Sequence, residues 1–280
     1  MLPQEIISII ADNLSTEDRL ICTSVCKSWK DPFQESLWKH VEFKTRDKFD
    51  MFYDEASQHD SVYHLNGQWT EELSITCESF IKDQRFQTLL EVFPNIKSLT
   101  IFPDTMINTS KTEPGQIFWK SLTFLRIIPP IHYSEFDIKT FSRILSFTPN
   151  VKRLEMVDAV YDILECTWKD IDVIHDCLPL LEHLEIAPFL ALFESTDTPD
   201  FSGIKPTRVT SLTIPKYEQC IVWVNYFAHK YPNINPRKCS FLKDITEDRE
   251  TKNVWAKLKR SIVRCSHTCS SHENTEETED

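Results

Sequence analysis

A short apolar motif recurs through the middle of the chain and constrains the fold more than any other feature of the sequence. The motif is φ-x-x-L-x-φ, in which φ is an apolar residue. Its key leucines are Leu73, Leu99, Leu125, Leu154, Leu184 and Leu212. They are 26, 26, 29, 30 and 28 residues apart. One such unit has a single apolar strand face that it cannot bury alone, so the pattern predicts stacked units with a continuous core.

The segments between the leucines indicate how the strands are connected. Helical spacing of apolar residues predicts helices over residues 83–93, 135–147, 168–178 and 217–231. A proline lies just beyond each of these segments, and proline cannot continue a helix. These prolines are Pro94, Pro149, Pro179 and Pro232. Two connections rich in Thr, Ser, Asp and Pro, 102–118 and 187–205, predict loops.

The spacing of the motif is the period of leucine-rich repeats. We therefore predict an α/β fold class, with a leucine-rich-repeat solenoid over residues 69–245. Its parallel sheet would form the concave face, and its helices and loops the convex face. A degenerate further copy of the motif is expected over residues 231–241.

Alternate residues of the predicted strands point away from the core, toward the concave face. Exposed aromatic side chains beside charged ones are typical of binding surfaces. The candidate partner-binding residues on this face are Phe102, Phe124, Arg126, Ile128, Arg153, Glu155, His183 and Glu185. Two alternatives remain at this stage, because residues at strand ends can turn inward and loops can cover the face.

The first 40 residues have a different pattern, which predicts helices. Ile6, Ile9, Ile10 and Leu14 form one apolar stripe at helical spacing. Ser15 or Thr16 is expected to cap a second helix, and the Asp31-Pro32 pair is expected to end the pattern. So short a segment cannot enclose all its apolar side chains, which must therefore pack on the rest of the chain or on another protein.

The same segment carries a set of residues whose identities and spacing match the pattern of a known domain family. They are Leu2-Pro3-Gln4-Glu5-Ile6, Ile10, Leu14, Asp18, Val25-Cys26-Lys27-Ser28-Trp29 and Leu37-Trp38. Residues 1–40 thus resemble an F-box. The resemblance implies a three-helix domain that docks on a Skp-type adaptor, which links it to a cullin scaffold. The candidate adaptor-binding residues are Leu2, Pro3, Ile6, Ile10, Leu14, Val25, Cys26 and Trp29.

Together, an F-box and a repeat array imply a substrate-recognition subunit of a Skp–cullin–F-box ubiquitin ligase. Such a subunit is not an enzyme, since it brings a target protein close to the conjugating machinery. Two alternatives stay open: an interaction scaffold with no role in degradation, and an enzyme whose acid and base residues lie in the repeat loops.

Composition excludes several classes of site. The three glycines, Gly67, Gly115 and Gly203, are far apart, whereas phosphate-binding loops need clustered glycines. The net charge is −12, from 31 basic and 43 acidic residues, so we expect no nucleic-acid partner. The longest apolar runs are too short for a membrane span, and no signal peptide is expected. Nine cysteines, an odd number, indicate reduced thiols and a cytoplasmic or nuclear location.

The remaining segments complete the predicted domain organisation. Residues 41–68 are a linker or an atypical first repeat, with a strand over 41–43 and a helix over 47–57. Residues 246–264 are expected to form a C-terminal capping helix, and the acidic tail 265–280 is expected to be disordered.

Two groups of residues contain side-chain types that catalysis or metal binding uses. Cys265, His267, Cys269 and His272 lie within eight residues, without the two separated ligand pairs of structural zinc sites. His175 and Cys177 are too close on a helix to face each other. We therefore predict no metal, no cofactor and no catalytic residues.

Overall fold

Seven segments of the chain form one parallel sheet in a computed structural model. The structure describes residues 2–56, 58, 60–77, 83–101, 119–128, 142, 145–156, 165–186, 189–190, 204–213 and 221–234. The strands are β1 (His40–Phe43), β2 (Glu72–Ile75), β3 (Ser98–Ile101), β4 (Phe124–Ile127), β5 (Arg153–Met156), β6 (Glu165–Cys166), β7 (His183–Ile186), β8 (Phe189–Leu190) and β9 (Ser211–Thr213). The seven-stranded sheet has the order β1-β2-β3-β4-β5-β7-β9, and β6 pairs with β8 in a separate parallel sheet.

Helices lie before the sheet and between its strands. They are α1 (Gln4–Asp12), α2 (Thr16–Cys22), α3 (Lys27–Trp38), α4 (Arg46–Ala56), α5 (Val62–Asn66), α6 (Asp83–Val92), α7 (Trp168–Cys177) and α8 (Ile221–Lys230), with a 3-10 turn over Gly67–Trp69. Residues 142 and 145–147 are also helical. None of the helices in the described part of the chain is long and apolar enough to cross a membrane.

The motif leucines form a ladder across the sheet. Leu73 pairs with Leu99, and the same register continues through the next strands to Leu212 on β9. All six leucines are at most 2 % exposed. Apolar residues two positions further on, such as Ile101 and Ile127, face the same side and are also buried. The predicted inward orientation of the motif is therefore confirmed on these strands.

The turns before the strands repeat one hydrogen-bond pattern. The carbonyl oxygen of Glu71 accepts from the N–H groups of both Lys97, at 2.8 Å, and Ser98, at 3.0 Å. Four later carbonyls, directly before strands β3, β4, β5 and β7, each accept two successive N–H groups from the start of the next strand of the sheet in the same way. They belong to Lys97, Thr123, Lys152 and Glu182. Successive units are thus joined both by the strands and by the turns that precede them.

The helices between the strands cover one face of the sheet and close the core. Phe49 and Phe52 of α4, Leu89 of α6 and Ile171 of α7 are fully buried with the motif leucines. Observed helix ends lie within one residue of the predicted ends for α4, α6 and α7. Burying one large aliphatic side chain contributes roughly 1.5–3 kcal/mol to the free energy of unfolding, so this continuous core is the main source of stability.

Helices α1, α2 and α3, within residues 2–38, form a helical head, and one residue joins this head to the sheet. Lys39 alone separates α3 from β1, and its carbonyl accepts hydrogen bonds from the backbone of Glu71 and Glu72, each at 3.0 Å. The hydroxyl of Thr70 donates to the carbonyl of Trp38 at 2.9 Å. The carbonyls of Trp38 and Lys39 at this junction are thus both hydrogen-bonded to the segment that leads into β2, which joins the head to the sheet.

Two features differ from the sequence-based expectations. The prediction that Asp31-Pro32 ends a helix is wrong, because α3 begins only at Lys27 and contains Pro32 in its interior. The ring of Pro32 is buried, and this burial offsets the hydrogen bond that proline cannot donate. The segment 187–205, predicted as a loop, contains the short strand β8, because Phe189 and Leu190 pair there with β6.

Several predictions fall on the rest of the chain. The loop 102–118, the capping helix 246–264 and the acidic tail 265–280 lie outside the described residues. Of the degenerate copy 231–241, the described residues 231–234 form a turn.

Candidate functional site

The three helices of the head are set up by local signals at their first residues. Pro3 precedes α1 with an extended backbone, in keeping with a residue that cannot donate a backbone hydrogen bond. The hydroxyl of Ser15 accepts from the backbone N–H of Asp18 at 3.1 Å and so caps α2. Cys26 occupies the corresponding position before α3.

A small core holds these helices together. Ile7 and Ala11 of α1 and Phe33 of α3 are buried against one another. Trp29 stacks on Phe33 with ring centroids 5.4 Å apart. Only five residues of the head are buried, Ile7, Ala11, Pro32, Phe33 and Ser36, so much of its apolar surface remains outside the core.

Polar contacts join the three helices of the head to one another. The Nζ of Lys39 pairs with Asp12 at 3.0 Å, and Ser36 also donates to that carboxylate at 3.1 Å. The hydrogen bond from Lys39 lowers the pKa of Asp12, and the same contact raises the pKa of Lys39. The guanidinium of Arg19 donates to the carbonyls of Leu14, Asp12 and Ser36. These contacts hold α1, α2 and α3 at fixed angles.

The head also carries an exposed apolar face, with side chains just before α1, on α1, on α2 and just after α2. Its six large aliphatic side chains are 43–64 % exposed. They are Leu2, Ile6, Ile9, Leu20, Ile21 and Val25. So many large apolar side chains in water on one small domain are typical of a surface that binds another protein.

The structure divides the predicted adaptor-binding residues into two groups. Five are exposed: Leu2, Pro3, Ile6, Val25 and Cys26. The other three are partly buried against the head core: Ile10, Leu14 and Trp29. Sequence reasoning did not select three exposed residues of the apolar face: Ile9, Leu20 and Ile21. Helical spacing alone places Ile9 and Ile10 in one stripe and does not tell which of them the small core buries.

The thiol of Cys26 lies at the border of this face. Its Sγ is 3.2 Å from the hydroxyl of Ser28, and this hydrogen bond lowers the pKa of the exposed thiol. Two backbone N–H groups at the start of α3 act in the same direction. Unlike the buried Cys77, Cys26 is therefore not a core-filling cysteine.

The open face of the sheet is a second candidate surface. Phe124, Arg153 and His183 are register partners on β4, β5 and β7. Arg126, Glu155 and Glu185 form the row beside them. These six residues and Ile128 are the predicted partner-binding residues that the structure describes, and Phe102 lies outside the described residues.

Glu155 differs from the expectation of an exposed side chain. Its carboxylate accepts from Nε of Arg153 at 2.8 Å and lies 3.5 Å from Nε of Arg126. The two arginine side chains cover it and leave it 9 % exposed. The guanidinium of Arg153 also lies over the ring of Phe124, 5.3 Å from its centroid. Glu155 thus orients the arginines rather than facing the solvent.

His175 and Cys177, the histidine and cysteine of α7, make contacts that stabilise the fold. His175 is buried, and its Nε2 lies 2.9 Å from the hydroxyl of Tyr231. Burial, aided by the charge of Lys230, lowers the pKa of His175 to about 3. The thiol of Cys177 donates to the carbonyl of Ser142, and burial raises its pKa. Among the described residues, no group of three or more His, Cys, Asp and Glu side chains could hold a metal ion.

A comparison with protein families decides the nature of the head. Residues 1–44 match the family model for F-box-like domains. The head is an F-box-like domain. F-box domains in general bind a Skp-type adaptor, and F-box proteins are in general non-catalytic subunits that recruit substrates. The domain therefore indicates a role in adaptor binding within a Skp–cullin–F-box ligase. No curated protein matches the chain significantly.

Proposed function

We propose that this chain is the substrate-recognition subunit of a Skp–cullin–F-box ubiquitin ligase. The head would bind the adaptor and, through it, the cullin, while the sheet would bind a target protein. The single observation that carries the proposal is the exposed apolar face of an F-box-like domain. Burying six large aliphatic side chains in one interface would contribute several kcal/mol, which suffices for stable association.

The adaptor interface would include the predicted residues together with Ile9, Leu20 and Ile21. Ile10, Leu14 and Trp29 would act through their packing, since they support the helices that present the face. The exposed residues Leu2, Pro3, Ile6, Val25 and Cys26 would contact the adaptor directly.

We also propose that the sheet and its helices are a leucine-rich-repeat solenoid over residues 69–245, with 41–68 as an atypical first repeat. The leucine ladder and the recurring turn hydrogen bonds support this assignment, because equivalent residues occupy equivalent places in successive units. The open face of the sheet would bind the target. Cytoplasm or nucleus would be the place of action, since ligases of this class act there.

Paired substitutions test the adaptor interface. Ile9→Asp with Leu20→Asp changes two exposed residues, so the head should stay folded while adaptor binding is lost. Met51→Asp, at a similarly exposed residue of α4 outside the head, is the matched control and should bind normally. Tagged full-length chains would be recovered from a cell extract and probed for the adaptor and the cullin. Equal recovery of both with wild type and the double variant would contradict the proposal.

A second assay separates a ligase subunit from a scaffold. Proteins that co-purify with the wild-type chain would be incubated with the assembled ligase, ubiquitin and its activating and conjugating enzymes. A subunit that recruits substrates predicts ubiquitin on one of them, and only when the cullin is present. If none gains ubiquitin, the chain is an interaction scaffold.

A further inference from the structure

Two neighbouring glutamates on the open face of the sheet differ in their ion-pair partners. Glu155 has two arginine partners, Arg126 and Arg153, and its oxygens are covered. Glu185 is its direct register partner on β7, and among the described residues no hydrogen bond or ion pair reaches its carboxylate. Both arginines thus contact Glu155 directly, while Glu185 has only their more distant charges beside it.

The position of Glu185 makes this lack of a partner unfavourable. Like charges directly opposite each other on neighbouring strands destabilise a sheet. The carboxylate is also half-buried, so water stabilises it incompletely. Burial, followed by the charge of Glu155, raises the pKa of Glu185, and the opposing charges of Arg153 and Arg126 do not cancel this rise. A cation placed at Glu185 would offset both effects, because it would attract the carboxylate and balance the charge of Glu155.

We propose that Glu185 contacts a lysine or arginine side chain of the target protein. This inference rests on the proposed function and names the chemistry that the open face recognises. The ring of Phe124 and the guanidinium of Arg153 would border the contact on the side of β4 and β5. Thr213, the register partner of Glu185 on β9, would border it on the other side.

An acidic or phosphorylated target segment fits this surface less well. An incoming anion would compete with Glu155 for the two arginines and would meet the unpaired Glu185. The whole chain has a net charge of −12, which also favours a basic partner. Charge complementarity therefore points to a positively charged residue.

A peptide library tests the proposal on the full-length chain. The probes are immobilised nonapeptides with mixed flanking residues and one fixed central residue: lysine, arginine, serine, glutamate or phosphoserine. The wild-type chain should retain peptides with central lysine or arginine roughly tenfold better than those with serine, the expected effect of one charged hydrogen bond. Glu185→Gln should abolish this preference.

Glu42→Gln is the matched control. Glu42 lies in the same register row, on β1, and pairs with the exposed Lys44 at 3.1 Å. It is five strand positions from β7, or roughly 24 Å, so removing its charge should leave the preference unchanged. A general effect of net charge would instead change both variants equally.

Three results would overturn the proposal: a preference for glutamate or phosphoserine, no preference at all, or a lysine preference that survives in Glu185→Gln. Binding of the purified adaptor is measured on the same preparations. If the adaptor binds all variants while the peptide preference is absent, the inference about Glu185 fails and the proposed ligase role stands. If the adaptor binds none of the folded chains, the proposed function fails instead.

Discussion

Four isoleucines within five residues of α1 have different surroundings. Ile7 is buried in the head core, Ile10 packs partly against that core, and Ile6 and Ile9 are exposed. The same residue type therefore stabilises the head at one position and is available for binding at another. This division separates the effect of a substitution on stability from its effect on adaptor binding.

Ile7→Ala should destabilise the head by about 2–5 kcal/mol, because it leaves a cavity in the small cluster that Ile7 forms with Ala11 and Phe33. Ile9→Ala should change stability by less than about 0.5 kcal/mol while weakening adaptor binding. Amide hydrogen exchange in α1 measures the first effect, and titration with the adaptor measures the second. Equal loss of protection in both variants would show that Ile9 belongs to the core.

His175 predicts a pH dependence of stability. Its folded pKa of about 3 lies below the unfolded value of about 6.5, so only the unfolded state binds a proton between these values. The stabilisation is complete above pH 6.5 and is lost as the pH falls. From pH 7.5 to pH 5, the wild-type chain should lose about 2 kcal/mol through this residue.

Denaturant unfolding at both pH values measures this loss. His175→Gln should lose less stability than wild type over the same interval, because glutamine does not bind the proton. An identical pH dependence in the two chains would mean that the imidazole is not buried as a neutral group.

At the scale of elements, the caps fix where helices start. The hydroxyl of Thr167 accepts from the N–H of Asp170, and the carboxylate of Asp170 accepts from the N–H of Thr167. This reciprocal pair satisfies two backbone donors at the start of α7, a helix whose Ile171 and Ile174 enter the core.

Thr167→Ala should therefore lower the free energy of unfolding by about 1 kcal/mol. Thr167→Ser keeps the hydroxyl and should recover most of that loss. Thermal unfolding of the three chains compares them under one condition. A serine variant as unstable as the alanine variant would show that the hydroxyl does not cap α7.

Strands and helices were predictable where the spacing of apolar residues matched the repeat of one type of secondary structure. The motif leucines predicted β2, β3, β4, β5, β7 and β9, since an alternating apolar face has few other solutions. The interior position of Pro32 was not predictable, because the start of α3 depends on Cys26 and on packing against α1. The short strand β8 depends on pairing with β6, which no local pattern reveals.

The candidate surfaces were predictable only in part. The F-box anchors placed adaptor binding on the head, but the choice between Ile9 and Ile10 depends on how three helices pack. Likewise, alternation placed Glu155 on the open face, yet its burial depends on two arginines from β4 and β5. Side-chain competition of this kind appears only in three dimensions.

At the scale of the whole molecule, the two candidate surfaces are held in a fixed relation. Lys39 joins the head directly to β1, and Gln34 of α3 donates to the side chain of Asn66 at 3.1 Å. The ring of Trp38 contacts Tyr63 edge to face, at 5.5 Å between centroids. A target on the sheet would thus be held at a defined distance from the adaptor, which raises its effective concentration near the conjugating enzyme.

Direct titration of the full-length chain with a purified Skp-type adaptor tests the central claim of adaptor docking. Calorimetry at several temperatures should give one adaptor per chain and a negative heat capacity change, because the apolar face leaves water on binding. Ile9→Asp with Leu20→Asp should abolish the heat of binding, while Met51→Asp should leave it unchanged. A folded wild-type chain that binds no adaptor would contradict the account.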